Sequence, residues 1–480
     1  MLLPLNNTTV TRQNHPVRVL QFGEGNFLRA FADWMIDVAN SEGITDTSVA
    51  VVSPRFRDNA GIKTLRSQDG LFHVCLEGIA DGKPVAESRL ITCVNTVLSP
   101  QEDYKKYEEV ILSPELRFVI SNTTEAGIRY ESDDVTLDIP LTFPGKVTSL
   151  LYKRYRHYGG DTSKGLIFLC CELIEDNGTT LREIVLRHAR EASMPEEFTK
   201  WVENACVFCD TLVDRIVPGF PADTITEVKN SLGYDDNLVV KGERYHVWAI
   251  GGEGYEKVRE ELPLDRAGLN VLFMPSIKEF RDRKVRILNG SHTGMVPVAL
   301  QLGCATVQDA FDDEDVNRFI NDMMDREVLP VINGDKSELK KFADGILERF
   351  YNPFIRHYLK SISLNSLSKW EARNFPTVRD NRDKLGQYAQ REIFTFAALL
   401  ALYSPESGFT PDDNPEHVKK IREILSGCAD ECDAVRQIVE GGIFVEDFEA
   451  LVPGFSDKAG QYLRLIRSKG MREALRSINS

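Results

Sequence analysis

Within the nine residues Lys284-Val-Arg-Ile-Leu-Asn289-Gly-Ser-His292 the chain gathers an amine, an amide and an imidazole. The amine can exchange a proton, the amide can hydrogen-bond an oxygen on which charge is growing, and the imidazole can do either. Just upstream, Ser276-Ile-Lys-Glu279 has the spacing of a capping box, so a helix is expected to start there and to carry Lys284 in its third turn. At about 100° per residue Lys284, Asn289 and His292 would project at roughly 0°, 140° and 80°, so one pocket can take all three.

Other readings of the same residues stay open at this point. Asn289-Gly290 is also a hairpin-turn dipeptide. Against a hairpin, Val285, Leu288, His292, Met295 and Ala299 form one helical stripe that a turn would scatter. His292 lies on that stripe, where a core histidine bonded to backbone is the plainer alternative. Lys284 can snorkel between apolar neighbours, or, desolvated in a cleft, have its pKa lowered from about 10.4 towards the range useful for proton transfer.

Such residues need elements to hold them and a partner to react with. Val17-Arg-Val-Leu-Gln-Phe22 reads as a short buried strand running into Gly23-Glu-Gly25-Asn-Phe27-Leu-Arg29-Ala30. Phe27, Ala30, Phe31, Trp34, Met35 and Val38 then recur at helical spacing. Strand, glycine turn and helix follow in the order a dinucleotide site needs: the glycines let a pyrophosphate approach, and its charge meets the helix's free amides. Leu28 stands where the third glycine of G-x-G-x-x-G would be, so an ordinary strand-to-helix turn is the competing reading. The next strand, Val49 to Ser53, ends in Ser53-Pro54-Arg55 and not in the acidic residue expected to bind the adenosine ribose. That leaves NAD against NADP open, since an arginine can accept a 2′-phosphate.

Leu71 to Glu77 and Arg89 to Val94 alternate like the arms of an inserted antiparallel ribbon. Leu116-Arg-Phe-Val-Ile120 opens into Ser121-Asn-Thr-Thr-Glu125-Ala-Gly127, and Gly165-Leu-Ile-Phe-Leu169 into Cys170-Cys171-Glu172. In an open α/β sheet ligands sit beyond the carboxyl ends of strands, so both loops are candidates to line one crevice. Strands are also expected at His246 to Ile250 and Val271 to Met274. From about Val296 onward the chain turns to amphipathic segments such as Val316 to Met324, Leu339 to Phe350 and Ala459 to Leu475. The expected fold is therefore α/β: a Rossmann-type domain over 1–275 with the inserted ribbon, then a mainly α-helical domain over 276–480, with a cleft between them.

Composition narrows the partners. A net charge of −15 supplies no global basic field for nucleic acid or an anionic membrane, so an anionic substrate must be met by locally placed Lys or Arg. The longest apolar run, Ile393 to Tyr403, is far below the roughly 20 residues that span a bilayer and reads as a buried helix. Met1 to His15 lacks the pattern of a signal peptide, and nine cysteines, an odd number, fit reduced thiols, so a cytoplasmic location is expected. Cys206-Val-Phe-Cys209 and Cys428 to Cys432 read as members of helical apolar patterns without partner ligands, and no metal is expected.

Taken together, Gly23-Glu-Gly25-Asn-Phe27-Leu-Arg29-Ala30, Asp214-Arg215-Ile216, Lys284 with Asn289-Gly-Ser-His292, and Asn352-Pro353 resemble the mannitol dehydrogenase family of long-chain polyol and sugar-acid dehydrogenases. Longer strings, Gln21 to Phe31, Ser121 to Ile128 and Cys171-Glu-Leu-Ile174, look most like its sugar-acid members. The resemblance implies metal-independent NAD chemistry, a hydride moving between the cofactor and the keto group of a hexuronate, the partner being this small-molecule substrate. It carries the family's catalytic lysine onto Lys284, its carbonyl-binding asparagine onto Asn289 and its active-site histidine onto His292. Cofactor contacts would come from Leu20, Gln21, Phe22, Gly23, Glu24, Gly25, Asn26, Phe27, Leu28, Arg29 and Ala30, and from Asn122, Thr123, Thr124 and Glu125. Substrate contacts would come from Glu172 and His357. Lys369 and Arg373, spaced i, i+4, are candidates to hold the carboxylate. Leu173 stands where mannitol dehydrogenases place a second asparagine. A fructuronate or polyol dehydrogenase of the same family, and a nucleotide-binding sensor without turnover, are the alternatives.

Overall fold

A computed structural model describes residues 2–53, 60–80, 83–123, 127–351 and 357–479. The chain divides into two compact units, Met1–Ile277 and Lys278–Ser480.

The first unit is built on an eight-stranded sheet. Its strands are β1 (Val17–Phe22), β2 (Ser48–Val52), β5 (Val94–Leu98), β6 (Phe118–Ser121), β7 (Ile167–Cys170), β8 (Val207–Asp214), β10 (Val247–Gly251) and β11 (Val271–Met274). Their order is β11-β10-β8-β7-β6-β1-β2-β5. Neighbours are parallel except β8 and β10, which run antiparallel with Val247 opposite Asp214. Strands such as Ser48-Val-Ala-Val-Val52 and Ile167-Phe-Leu-Cys170 are buried along their whole length. That is why they read as continuous apolar runs without alternation. The ribbon is β3 (Phe72–Ala80) against β4 (Lys83–Ile91), with His73 opposite Leu90. A strand the sequence did not announce, β9 (Val240–Glu243), joins the ribbon in parallel with β3.

Two sequence expectations change here. Val94 starts β5 of the main sheet and does not end the ribbon, because its partner is Val49. Cys209 belongs to a strand, not to a helix, and pairs with Leu169, while Cys206 caps the end of the helix before it. The strand was masked by the apolar run of the preceding helix, Glu196–Ala205.

The second unit is helical throughout its described part. Gln390–Tyr403 forms its centre, buried from Glu392 to Tyr403, and no described helix is long and apolar enough to cross a membrane. Trp370, Phe375, Phe448 and Phe455 cluster with Phe396 of that helix, with ring centroids from 4.0 to 6.3 Å apart. Offset and edge contacts of this kind add about 0.5–1.5 kcal/mol per pair beyond area burial. The core fixes the helices that carry the polar residues discussed next.

Candidate active site

In the first unit β1 lies between β2 and β6, so the connections from β1 leave in opposite directions on its two sides. That is a topological switch point, where the carboxyl ends of strands open a crevice. The loop after β1 fills it. Gly23 has φ +132°, and a Cβ there would stand 3.0 Å from the Asn122 carbonyl oxygen and 3.1 Å from Leu28 Cδ1. Gly25, in contrast, has an extended backbone and open space, with nothing within 4 Å of where a Cβ would be. Gly23 is a folding requirement; Gly25 leaves room for a ligand to reach the backbone. Helix follows from Asn26, in three pieces: Asn26–Leu28, a π-helical turn Arg29–Asp33, and Trp34–Ser41. The residues present thus fit a dinucleotide, whose pyrophosphate would meet the Gly25 backbone and the first helical amides.

Of the expected cofactor residues, Glu24 and Phe27 are half-buried and Gly25 and Asn26 exposed. Leu20, Phe22, Leu28 and Ala30 are buried core residues that shape the turn from beneath. Gln21 is fully buried and holds the turn, its Nε2 donating to the Gly23 carbonyl (3.1 Å) and to Asp33 Oδ2 (3.3 Å). Burial pushes the Asp33 carboxyl up to about 7, against the opposing pull of the Gln21 bond and Arg29. Arg29 points inward, donating to the carbonyls of Leu238 and Glu24 and to Asn26 Oδ1. Arg215 is likewise internal, its guanidinium 4.1 Å over the Trp34 ring and bonded to the Ala30 carbonyl.

Beyond β6 and β7 the loops meet as expected. Asn122 Nδ2 donates to the Cys171 carbonyl (3.2 Å), and Glu172 accepts from Ser121 Oγ (3.0 Å) and from the Thr123 amide and hydroxyl (2.9 Å each). Glu172 is 2% exposed, so its carboxyl serves the loop as an anchor more than it faces a substrate; burial raises its pKa while the Thr123 bonds oppose. Leu173 is 59% exposed. Thr124 and Glu125, and likewise Pro54, Arg55 and Asn352-Pro353, lie outside the described residues.

In the second unit, Lys278–Lys284 is α-helical, Val285–Asn289 a π-helical turn and Gly290–Gln301 α-helical again. No hairpin forms at Asn289-Gly290: Gly290 has φ −63° and its N–H donates to the Val285 carbonyl, five residues back. The extra residue in that turn changes the geometry that regular helical counting gives. It retards everything after it by about 100°, so Lys284, Asn289 and His292 project at roughly 0°, 40° and −20° instead of 0°, 140° and 80°. Positions i, i+5 and i+8 thereby behave like i, i+4 and i+7. The three side chains form one stripe, Lys284 and His292 each 7% exposed and Asn289 half-buried.

His292 is not bonded to backbone through Nε2, which has no hydrogen-bond partner among the described residues. Its ring packs at 4.4 Å on Phe350 and at 5.1 Å, edge on, against His357. Burial lowers its pKa well below 6.5, and His357, Arg349, Arg373 and Lys284 add to that effect. Both burial and the surrounding cations therefore favour the neutral imidazole of His292. His357 is lowered too, by burial and then by Arg349. Arg373 Nη1 donates to Thr293 Oγ1 (3.2 Å), one residue beyond His292. Lys369, a turn earlier, donates to the Ile362 carbonyl (3.1 Å). Arg349 is the cation that sequence reading missed: it lies on an amphipathic helix, Lys336–Phe350, where a charge reads as part of a solvated face.

Residues 17–264 match the profile of the mannitol dehydrogenase Rossmann domain, and residues 276–441 that of the mannitol dehydrogenase C-terminal domain. The chain is 44% identical over 466 residues to altronate oxidoreductase of Bacillus subtilis (strain 168), covering 96% of this chain and 95% of that protein. It is 40% identical to altronate oxidoreductase of Phocaeicola vulgatus, covering 99% of each. Among solved structures, substrate-free D-sorbitol dehydrogenase superposes with a TM-score of 0.80 at 21% identity, covering 96% of this chain and 95% of that one. The Pseudomonas fluorescens mannitol 2-dehydrogenase ternary complex with NAD and D-mannitol gives 0.75 at 21%, covering 99% and 96%. At that identity the two structures speak for the fold alone.

Proposed function

The chain belongs to the mannitol dehydrogenase family and uses NAD, and from that premise we propose that it reduces tagaturonate to altronate reversibly. The observation that carries this reading is the near full-length likeness to altronate oxidoreductases, joined to the cations Arg349 and Arg373 around His292. A hexuronate brings a carboxylate that such cations bind by charge-assisted hydrogen bonds, where a polyol offers only neutral hydroxyls.

NADH, when bound, supplies the hydride. The protein's own part is charge management at oxygen. As the keto carbon is reduced, its oxygen gains negative charge; Asn289 stabilises it by hydrogen bonding and the Lys284 ammonium donates the proton. In the oxidative direction neutral Lys284 takes the proton back. Neutral His292, its Nε2 open, holds a neighbouring substrate hydroxyl without adding positive charge beside Lys284. Arg373, supported by Arg349, and Lys369 one turn away, receive the carboxylate. Gly23 to Asn26 and the Asn122-Thr123 loop receive the cofactor. Hexuronate reduction draws on the cytoplasmic NADH pool, which is where we place the protein.

The test is NADH oxidation against a panel of tagaturonate, fructuronate and the neutral ketoses tagatose and fructose. The reading expects the highest kcat/KM with tagaturonate. Turnover of a neutral ketose at an equal or higher kcat/KM would move the assignment to the polyol branch of the family. NADH binding with no turnover on any of the four would abandon the enzyme.

A further inference from the structure

The π-helical turn that aligns Lys284, Asn289 and His292 is not a local preference of the chain, since a regular α-helix competes with it at every residue and π geometry is rare. Something in the tertiary structure must hold it. The stretch 373–380 does so at three points. Before the turn's end, Arg286 is 4% exposed and donates through Nε to Thr377 Oγ1 (3.1 Å) and through Nη1 to Asp380 Oδ2 (2.7 Å). After it, Arg373 reaches Thr293. Between these, at the residue where the α-helix resumes, Asn374 Nδ2 donates to the Gly290 carbonyl (3.0 Å).

Asn374 is fully buried, and the same Nδ2 also donates to Glu392 Oε2 (2.8 Å). Two acceptors on one nitrogen use both of its hydrogens and fix which way the amide faces, leaving Oδ1 without a partner. Glu392 is itself fixed: its backbone amide and that of Arg391 donate to the Glu327 carboxylate (2.9 to 3.0 Å). Burial pushes the Glu392 carboxyl up to about 8, against the opposing pull of the Asn374 bond. An amide held in this way has one task that the packing of the core does not require, which is to grip the Gly290 carbonyl.

We propose that Asn374, oriented by Glu392, is a positioning residue that keeps the Val285–Asn289 turn π-helical and so holds Asn289 and His292 in line with Lys284. Without the grip the helix relaxes towards regular α-geometry, and Asn289 rotates away from the oxygen it serves. The proposal rests on the reading of Lys284 and Asn289 given above.

Asn374→Asp tests it, because it keeps the shape and puts an oxygen opposite two acceptors. Expected is a fall in kcat of about tenfold to a hundredfold per folded site, the scale of an ångström-sized misplacement, with the NADH Kd within about threefold of wild type. A lowered Tm with kcat per folded site within about twofold of wild type would mark Asn374 as merely structural and overturn the proposal. Should that variant not fold, Glu392→Gln keeps an acceptor oxygen for Asn374 while Glu392→Leu removes it. The Gln protein is expected to stay within about threefold of wild-type kcat and the Leu protein to lose about fivefold or more, and equal kcat in the two overturns the proposal. Lys284→Ala in the same assay separates the two levels. If it retains turnover the catalytic reading fails; if it is inactive while Asn374→Asp is fully active, only the positioning role fails.

Discussion

Replacing Arg373 by methionine isolates the interaction that should distinguish a sugar acid from a sugar. Methionine keeps an unbranched stem of similar bulk, so the half-buried packing survives while the charge goes. At an effective dielectric of about 20, unit charges about 4 Å apart attract by about 4 kcal/mol. Stripping water from the carboxylate and the guanidinium offsets part of that, leaving the roughly 1.5–3 kcal/mol typical of a charged hydrogen bond. The KM for tagaturonate should therefore rise about tenfold to a hundredfold. Because Arg373 also bonds Thr293 Oγ1, some of any loss could come from the helix it supports. Thr293→Val removes that bond and no charge, so its KM should move by about threefold or less. Steady-state assays on tagaturonate and on neutral tagatose complete the comparison. The Arg373→Met effect should be confined to the acid, with the NADH Kd unchanged. A KM rise below about threefold, or an equal loss on tagatose, refutes the assignment and passes the carboxylate to Arg349 or Lys369.

Lys284→Ala should lower kcat by about 10² to 10⁴, the usual contribution of a general acid–base group, and leave the NADH Kd in place; wild-type kcat in the folded variant would remove Lys284 from the mechanism. Gly25→Val should weaken NADH binding without lowering Tm, since the site of its Cβ is open, whereas Gly23→Ala should lower Tm because its backbone is left-handed and its Cβ would press on Asn122; the reverse pattern in thermal melts and NADH titrations would invert the roles of the two glycines. Asp33, held at about 7 against 3.8, binds its proton more tightly when the protein is folded, so its share of stability falls as pH climbs through that interval. Asp33→Asn does not titrate and should gain in Tm on the wild type between about pH 4 and about pH 7, and a Tm difference independent of pH would contradict the burial argument.

Sequence alone determined a good deal, for physical reasons that operate locally. Short apolar-rich runs bounded by turn or polar residues mark strands, so Val17–Phe22 and Val271–Met274 could be read to the residue. The glycine turn was legible because steric freedom at Gly23 and Gly25 is written in the residue type, and the amphipathic helices because their apolar faces recur at helical spacing. Where neighbours in space decide, the sequence was silent. The antiparallel pairing of β8 with β10, the third ribbon strand β9 and the boundary at Val94 depend on which strand pairs with which, and pairing partners lie far apart in the chain. The site shows the same division. Lys284, Asn289 and His292 could be picked out by type, but regular helical spacing spreads them over about 140°. Their alignment comes from a π-helical turn whose flanking contacts, Arg286 to Thr377 and Asp380 and Gly290 to Asn374, join residues 84 to 94 positions apart in the chain, and such long-range contacts leave no periodic trace. Arg349 was hidden for the same reason, since a charge on an amphipathic helix is indistinguishable from a solvated one until the fold places it near His292.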